Sequence, residues 1–409
     1  MKRWALTRVT AFAKKTVKDI PVDGSVVLVR VDYNVPLTEA GEIHDDYRIV
    51  ASLPTLRYLI DRGCRVVLIA HLGRPEGAVN PAYSLEPVAM RLRELLGQPV
   101  HFVAESIGDI VKQTAKRLGA GEVLLLENLR FHAGEEANDA SFAKALVQAS
   151  GAAYFVQDGF GVIHRPHAST SAITAYAPSV AGLLVEKEYR MIADTMAAPK
   201  RPLTAIIGGA KVSDKLPLIE RFMQIADRII VGGALANAFL RYRGHEIGKS
   251  LYEEGVEAII ERIYAAKRSA ELLVLPTDVA VAHGLEADAR RSVVGVEDVR
   301  HDEYILDVGT DTIQAITDAI SQSQTVVWNG TLGMAERDQF AVGSARTALA
   351  LAQHPDVVSV IGGGDTADFV LKWDGNGGAG FSHISTGGGA SLELMAGLPL
   401  PGYEALLDA

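Results

Sequence analysis

Leu203-Thr-Ala-Ile-Ile-Gly-Gly-Ala-Lys-Val-Ser-Asp-Lys215 passes from an apolar run, broken only by Thr204, through a glycine pair into a stretch of helical polarity. An apolar run without alternation marks a strand covered on both faces. A strand that hands over to a helix through glycines is the repeating half of a parallel α/β sheet. The same unit recurs outward in both directions. Toward the carboxy terminus the runs are Arg228–Val231, Leu272–Leu275, Thr325–Trp328, Val357–Ile361 and Phe381–Ile384. Toward the amino terminus they are Val26–Val31, Arg65–Ala70, Val100–Val103, Glu122–Leu126 and Ala152–Val156, with helical periodicity over Ile49–Asp61 and Ser84–Leu96. The pattern predicts an α/β chain with two doubly wound, Rossmann-like parallel-sheet domains. A charged helix around Val185–Asp194, closed by Ala198-Pro-Lys-Arg-Pro202, reads as a hinge helix between them. The expected division is residues 1–185, a hinge over 186–201, and a second domain over 202–396.

Length and charge narrow the function. The chain has 409 residues, 48% hydrophobic and 22% charged, which suits two packed domains and excludes a disordered protein. Lys plus Arg is 40 and Asp plus Glu is 50, a net −10, which argues against nucleic acid or an acidic membrane as partner. An anionic ligand must then be met by local clusters of Arg, Lys or backbone N–H. A lone cysteine, Cys64, allows no internal disulfide and points to a reducing, cytoplasmic compartment. The uncharged stretches Pro166–Val185 and Asn376–Leu392 are too rich in Ser, Thr, Pro, Gly or His to read as membrane spans. The first eighteen residues, basic through Lys2, Arg3, Arg8, Lys14, Lys15 and Lys18, read as a solvated extension.

Open α/β sheets bind ligands at the carboxyl ends of their strands, so the residues that follow each run are a functional census. In the first half these ends are Arg30-Val-Asp-Tyr-Asn34, His71-Leu-Gly-Arg74, Glu127-Asn-Leu-Arg130 and Asp158-Gly-Phe-Gly-Val-Ile-His164-Arg165-Pro-His167, with Arg48 nearby. Any one of these is most simply a surface or salt-bridged side chain. Their recurrence at successive strand ends points to a basic site for a small anion, because the guanidinium fork suits carboxylate and phosphate oxygens. In the second half the ends are glycine-rich: Gly208-Gly-Ala-Lys211, Gly232-Gly, Asn329-Gly-Thr-Leu-Gly333, Gly362-Gly-Gly-Asp365-Thr366 and Thr386-Gly-Gly-Gly389. One glycine pair after a strand is commonly steric, whereas five such turns suggest a polyphosphate cradle. Lys211 and Lys215, four residues apart, are expected on one helix face above the same phosphates. Asp365 is the best-placed carboxylate for a nucleotide-bound Mg²⁺. Gly244-His-Glu-Ile-Gly248-Lys-Ser250 misses the P-loop spacing by one residue and reads as a loop with a surface lysine. No Gly-x-Gly-x-x-Gly follows the first strand, which disfavours a nicotinamide site, and His132 and His354 read as surface histidines.

The ordered blocks Arg30–Pro36, His71–Pro75, Glu127–Phe131, Gly159–His167, Gly208–Lys215, Trp328–Gly330, Gly362–Thr366 and Ser385–Leu394 resemble phosphoglycerate kinase along nearly the whole chain. The resemblance implies a bilobed kinase, with 3-phosphoglycerate or 1,3-bisphosphoglycerate on the first lobe and Mg-ATP or Mg-ADP on the second. It also implies a final segment, about 397–409, that returns to the first lobe. Carried over by position, the substrate residues would be Asp32, Asn34, Arg48, His71, Arg74, Arg130 and Arg165. The nucleotide residues would be Lys211, Lys215, Glu336 on the ribose, and Gly363, Gly364, Asp365 and Thr366, with Asp365 on the metal. The transferred phosphoryl group would be met by Arg48, Lys211 and the N–H groups of Gly387, Gly388 and Gly389. The family habit is a monomer.

Some positions depart from the family pattern. Thr331 stands where proline is usual, Met334-Ala335 precede the ribose acid, Gln157-Asp-Gly159 replaces Asn-Asp-Ala, and Val162-Ile163 and Pro166 alter the loop before and after Arg165. Every charged group expected at the reacting centre is present. The implied activity is a reversible, in-line phosphoryl transfer after hinge closure. A weakly catalytic nucleotide-binding relative would be expected to have lost one of those charges. A dehydrogenase or sugar-phosphate hydrolase would be separated by binding NAD and not Mg-ADP.

Overall fold

The computed structural model describes residues 11–38, 40–266 and 269–409. Two compact units result among the described residues, 11–190 with Pro399–Ala409, and Met191–Leu398. The amino-terminal unit holds β1 (Val26–Arg30), β2 (Arg65–Ile69), β3 (Val100–Val103), β4 (Val123–Leu126), β5 (Tyr154–Gln157) and β6 (Ser179–Ala181). All pair in parallel, in the order β3-β4-β2-β1-β5-β6. Successive residues serve opposite faces: Val27, Val29, Val66 and Leu68 enter one core, while Leu28, Val67, Leu124 and Phe155 enter another. That double burial is why the strands read as unbroken apolar runs.

The carboxy-terminal unit holds β7 (Leu203–Ile207), β8 (Arg228–Val231), β9 (Leu273–Val274), β10 (Asp278–Ala282), β11 (Ser292–Gly295), β12 (Tyr304–Val308), β13 (Thr325–Asn329), β14 (Val358–Gly362) and β15 (His383–Ile384). Its main sheet is parallel, in the order β15-β14-β13-β7-β8-β9. The chain leaves β7 toward one edge and later returns to build the other from β13. The crevice for a ligand therefore opens between the ends of β7 and β13. Both parallel sheets match the expected fold class. The runs at 272–275 and 381–384 yield only two-residue edge strands. The sequence reading missed a third sheet, antiparallel, in the order β11-β10-β12. Its strands are short, β10 and β11 are joined by a long loop in place of a tight turn, and β10 is buried on both faces, so neither a hairpin turn nor an alternating face announces it.

The basic amino-terminal stretch requires a correction. Residues 1–10 lie outside the described residues, but Lys14 is buried and donates to the carbonyls of Glu404 and Leu406 at 2.9 Å each and to Asp408 at 2.7 Å. Lys15 N–H donates to Leu407 O, and Ala181 N–H donates to Lys15 O, so this segment and the carboxy-terminal segment both dock at β6. Buried backbone acceptors hold the ammonium out of water. The predicted hinge helix spans Leu183–Ala197, longer than expected at both ends. Among the described residues no helix is long and apolar enough to cross a membrane.

Candidate functional site

Two sites form at strand ends, one in each unit. In the amino-terminal unit Arg30, the last residue of β1, is fully buried. Its guanidinium donates to Ser169 Oγ at 2.8 Å, to the Val31 carbonyl, and to His71 Nδ1 at 3.0 Å. A guanidinium only donates, so His71 Nδ1 accepts and the ring is the neutral Nε2–H tautomer. Burial and the neighbouring Arg30, Arg130 and Arg48 push the His71 pKa well below its ordinary value. Burial, then nearby arginines, likewise lowers His164 and His167 to about 4. Three neutral imidazoles and a set of guanidinium groups thus share one basin.

The predicted substrate residues meet there. Arg48, on the first turn of helix Tyr47–Asp61, lies 3.4 Å from Asp32 and donates to the Asn34 carbonyl at 2.9 Å. Asn34 Oδ1 accepts Gly73 N–H at 2.9 Å, and Arg130 donates to Gly73 O at 2.8 Å. Arg130 also pairs with Glu136 at 3.2 Å, yet its buried Nε has no partner. Arg74 is exposed, and Arg165, half-exposed, shares the field that lowers the histidines. Pro166 points out to solvent, and Thr170 Oγ1 donates to Arg165 O at 2.6 Å, so the loop departures leave Arg165 anchored. Sequence reasoning passed over Glu135, which is fully buried and accepts Ser169 N–H at 3.0 Å and Ser169 Oγ–H at 2.6 Å, thereby holding the hydroxyl that Arg30 uses. Only its residue type hinted at this, since the partner lies 34 positions away. Burial raises the Glu135 pKa against the pull of Arg30.

In the carboxy-terminal unit two adjoining cavities, about 560 and 530 Å³, share Gly209, Ala210, Thr331 and Asp365. The first is lined by Lys211, Lys215, Gly363, Gly364, Asp365 and Thr366, the second by apolar walls including Leu251, Pro276, Val279, Leu306 and Met334, with Glu336. One chamber suits phosphates and the other a nucleoside. Lys211 does not stand on the helix face expected from spacing. It is the extended residue before helix Val212–Ile225, and Lys215 lies inside the first turn, though both line the same chamber. Burial lowers the Lys215 pKa, and its ammonium donates to Asn329 Oδ1.

The five glycine turns divide by role. A Cβ at Gly208 would lie 2.1 Å from Thr331 O, and one at Gly330, with φ +97°, would lie 2.2 Å from Gly208 C. These glycines let β7 and β13 close at the switch point, and Trp328 Nε1–H fixes the turn by donating to Gly330 O at 2.8 Å. Gly364 has open space beside it, at the start of helix Gly364–Asp374. A Cβ at Gly388 would meet only Gly364 N, at 3.9 Å, so the start of Gly389–Met395 lies beside that helix start. Gly387, Gly388 and Gly389 adjoin the chamber without lining it. Thr331 keeps the turn, its carbonyl accepting Gly209 N–H at 3.1 Å.

Two residues were missed here. Asn329 carries a buried Nδ2 without a partner beside Gly363, and its place between an apolar run and Gly330 was the available signal. Lys249, set aside with the false P-loop, lines the nucleoside chamber. Asp365 is exposed on the first turn of its helix and lines both chambers. Among the described residues no group of three or more His, Cys, Asp or Glu could hold a metal ion. Asp214, Asp365 and Glu393 line the phosphate chamber, and Asp365, beside Gly363, Gly364 and Thr366, fits a cation carried on a nucleotide. His132 and His354 are not free surface groups: one ring centre lies 4.8 Å from that of Phe142, and the other's Nδ1 lies 2.7 Å from Ala350 O.

An anion basin at one sheet and a nucleotide-shaped crevice at another are what a phosphotransferase requires, and the comparisons agree. The family model described as phosphoglycerate kinase matches residues 17–398. The chain is 47% identical to the phosphoglycerate kinase of Moorella thermoacetica and 45% identical to that of Pelotomaculum thermopropionicum, each match covering 97% of this chain and all of the relative. The solved phosphoglycerate kinase of Coxiella burnetii superposes with a TM-score of 0.82 at 36% identity, covering 96% of this chain and 98% of that one. That of Pyrococcus horikoshii does so with the same score and coverage at 31% identity. Agreement over nearly the full length, in sequence and in three dimensions, leaves one conclusion: the chain belongs to the phosphoglycerate kinase family.

Proposed function

We propose that the chain transfers a phosphoryl group reversibly between 1,3-bisphosphoglycerate and ADP, giving 3-phosphoglycerate and ATP. The observation that carries this is the pairing of chemistries: a basin of guanidinium groups and neutral histidines in one unit, and a lysine- and glycine-lined chamber opening into an apolar one in the other. Asp32, Asn34, Arg48, His71, Arg74, Arg130 and Arg165 would bind the phosphoglycerate. Its carboxylate is ionised at neutral pH and attacks the γ-phosphorus without a general base. Lys215, Thr366 and the amides of Gly363 and Gly364 would hold the nucleotide phosphates, and Glu336 the ribose. Arg48, Lys211 and the amides at Gly387–Gly389 would neutralise the equatorial oxygens as the bond passes in line. Asp365 would hold magnesium, which when bound supplies charge for the phosphate oxygens. Because acceptor and donor are held by different units, turnover requires closure about the 186–201 segment, which also keeps water from the acyl phosphate. The reading extends to a cytoplasmic monomer, supported for the compartment by the lone, buried Cys64 and tested for the monomer by light scattering.

The test is a coupled assay of Mg-ATP-dependent phosphorylation of 3-phosphoglycerate, with glycerate and 2-phosphoglycerate as controls. Turnover confined to 3-phosphoglycerate is expected. Arg48→Ala and Lys211→Ala should each lower kcat by about 100-fold or more, a larger effect than either has on ground-state binding, as loss of a charge-stabilising donor does. Wild-type turnover in both variants would remove these roles.

A further inference from the structure

The buried carboxyl of Asp158 takes no part in the chemistry above, yet it sits at a junction of three elements. Asp158 follows β5, its N–H donates to Arg30 O at 2.8 Å, and it opens the loop that carries Arg165. Its Oδ1 accepts Leu184 N–H at 2.9 Å, in the first turn of helix Leu183–Ala197. Thr55 Oγ1 accepts the neighbouring Leu183 N–H, also at 2.9 Å. Thr55 lies on helix Tyr47–Asp61, two turns after Arg48, and its hydroxyl faces Asp158; burial raises the Asp158 carboxyl to about 7, against the pull of this hydroxyl and of the helix N–H groups. Both side chains are fully buried. Gly182 admits the Asp158 carboxyl only because it has no side chain: a Cβ there would lie 2.0 Å from Asp158 Oδ1. The first N–H groups of a helix need acceptors, and here one acceptor comes from each segment that carries a substrate arginine.

We infer that Asp158 and Thr55 are positioning residues for the phosphoryl transfer, locking the start of helix Leu183–Ala197 to the segments that carry Arg48 and Arg165. Anion binding draws on those two arginines, and their segments cannot shift without moving the helix start. This helix leads from the amino-terminal unit into the carboxy-terminal one, so the lock couples an occupied basin to the closure that turnover requires. A buried carboxyl and hydroxyl that only filled space would not need to belong to the same two segments as the substrate arginines.

The inference rests on the proposed function, and the wild-type assay with 3-phosphoglycerate tests that reading separately. Thr55→Val removes the hydroxyl at constant shape, Thr55→Ser keeps it, and Asp158→Ala removes the oxygen that accepts Leu184 N–H. Thr55→Val and Asp158→Ala should lower kcat per folded molecule by about 10-fold or more while the KM for 3-phosphoglycerate stays within about twofold, as expected when a conformational step is impaired. Thr55→Ser should restore kcat. Wild-type kcat in both variants, a change confined to KM, or equal loss in Thr55→Ser would overturn the inference. If Thr55→Val does not fold, Asp158→Ala decides. If neither folds while Thr55→Ser is native, the pair is purely structural and the inference fails. An inactive wild type would instead overturn the proposed function and the inference with it.

Discussion

Asp307 is enclosed by glycines: a Cβ at Gly333 or Gly343 would lie 2.5 Å from its Oδ1. It accepts N–H from Val308 and Gly343 at 2.9 Å each, yet burial outweighs these bonds and raises its pKa to about 7. A raised carboxyl pKa means the folded state holds a proton that the unfolded chain releases near the ordinary value of 3.8. The stability this contributes is complete below that value and is lost as pH rises through about 7. His164 and His167, lowered to about 4, act in the opposite sense: their contribution is present above the ordinary 6.5 and lost as pH falls through about 4. Comparing the wild type with Asp307→Asn cancels the histidines. Urea unfolding should show the wild type's advantage over Asp307→Asn shrinking between pH 5 and pH 8, by on the order of 2–4 kcal/mol. A difference independent of pH would mean that the carboxyl is ionised throughout.

The element scale separates glycines that close a sheet from those that open a helix. At Gly330 a side chain meets both a left-handed backbone and the Gly208 carbonyl carbon at 2.2 Å. Gly330→Ala should destabilise the carboxy-terminal unit by about 3 kcal/mol or more, read as a fall in the denaturant midpoint. At Gly364 the backbone is ordinary and the space is open. Gly364→Ala should leave the midpoint within about 0.5 kcal/mol of wild type but weaken ADP binding in calorimetry by about 10-fold, because the methyl group would stand where phosphate approaches the helix start. Equal effects from the two substitutions would contradict this division of labour.

For the whole molecule, the important feature is where the described chain ends meet. Lys14, Lys15 and Ala13 on one side bond with Tyr403, Glu404, Leu406, Leu407 and Ala409 on the other, while the Tyr403 ring stacks on Tyr189 at 4.0 Å. Burial and the Ala13 N–H act on the Tyr403 hydroxyl in opposite directions, and burial wins, keeping it a neutral phenol. Deleting 399–409 would leave the Lys14 ammonium without its acceptors and uncover the edge of β6. The melting temperature of the amino-terminal unit should fall by on the order of 10 °C in calorimetry, as the loss of several buried bonds requires. An unchanged transition would mean the segment adds nothing to the unit.

Local pattern alone determined the two parallel sheets, every strand of them except β6, and the contrast between arginine-rich and glycine-rich strand ends, because double burial and turn geometry leave periodic signatures within a few residues. Tertiary structure decided the rest. Gly208 and Gly364 look alike in sequence, and only the approach of Gly330 and Thr331 makes one a packing contact and leaves the other facing open space. Lys14 and Lys18 belong to the same basic stretch, and only the returning carboxy terminus buries one of them. The antiparallel β10–β12 sheet, the tautomer of His71 and the role of Glu135 were invisible for the same reason. Each depends on partners more than ten residues away, and distance along the chain carries no signal of what folding brings together.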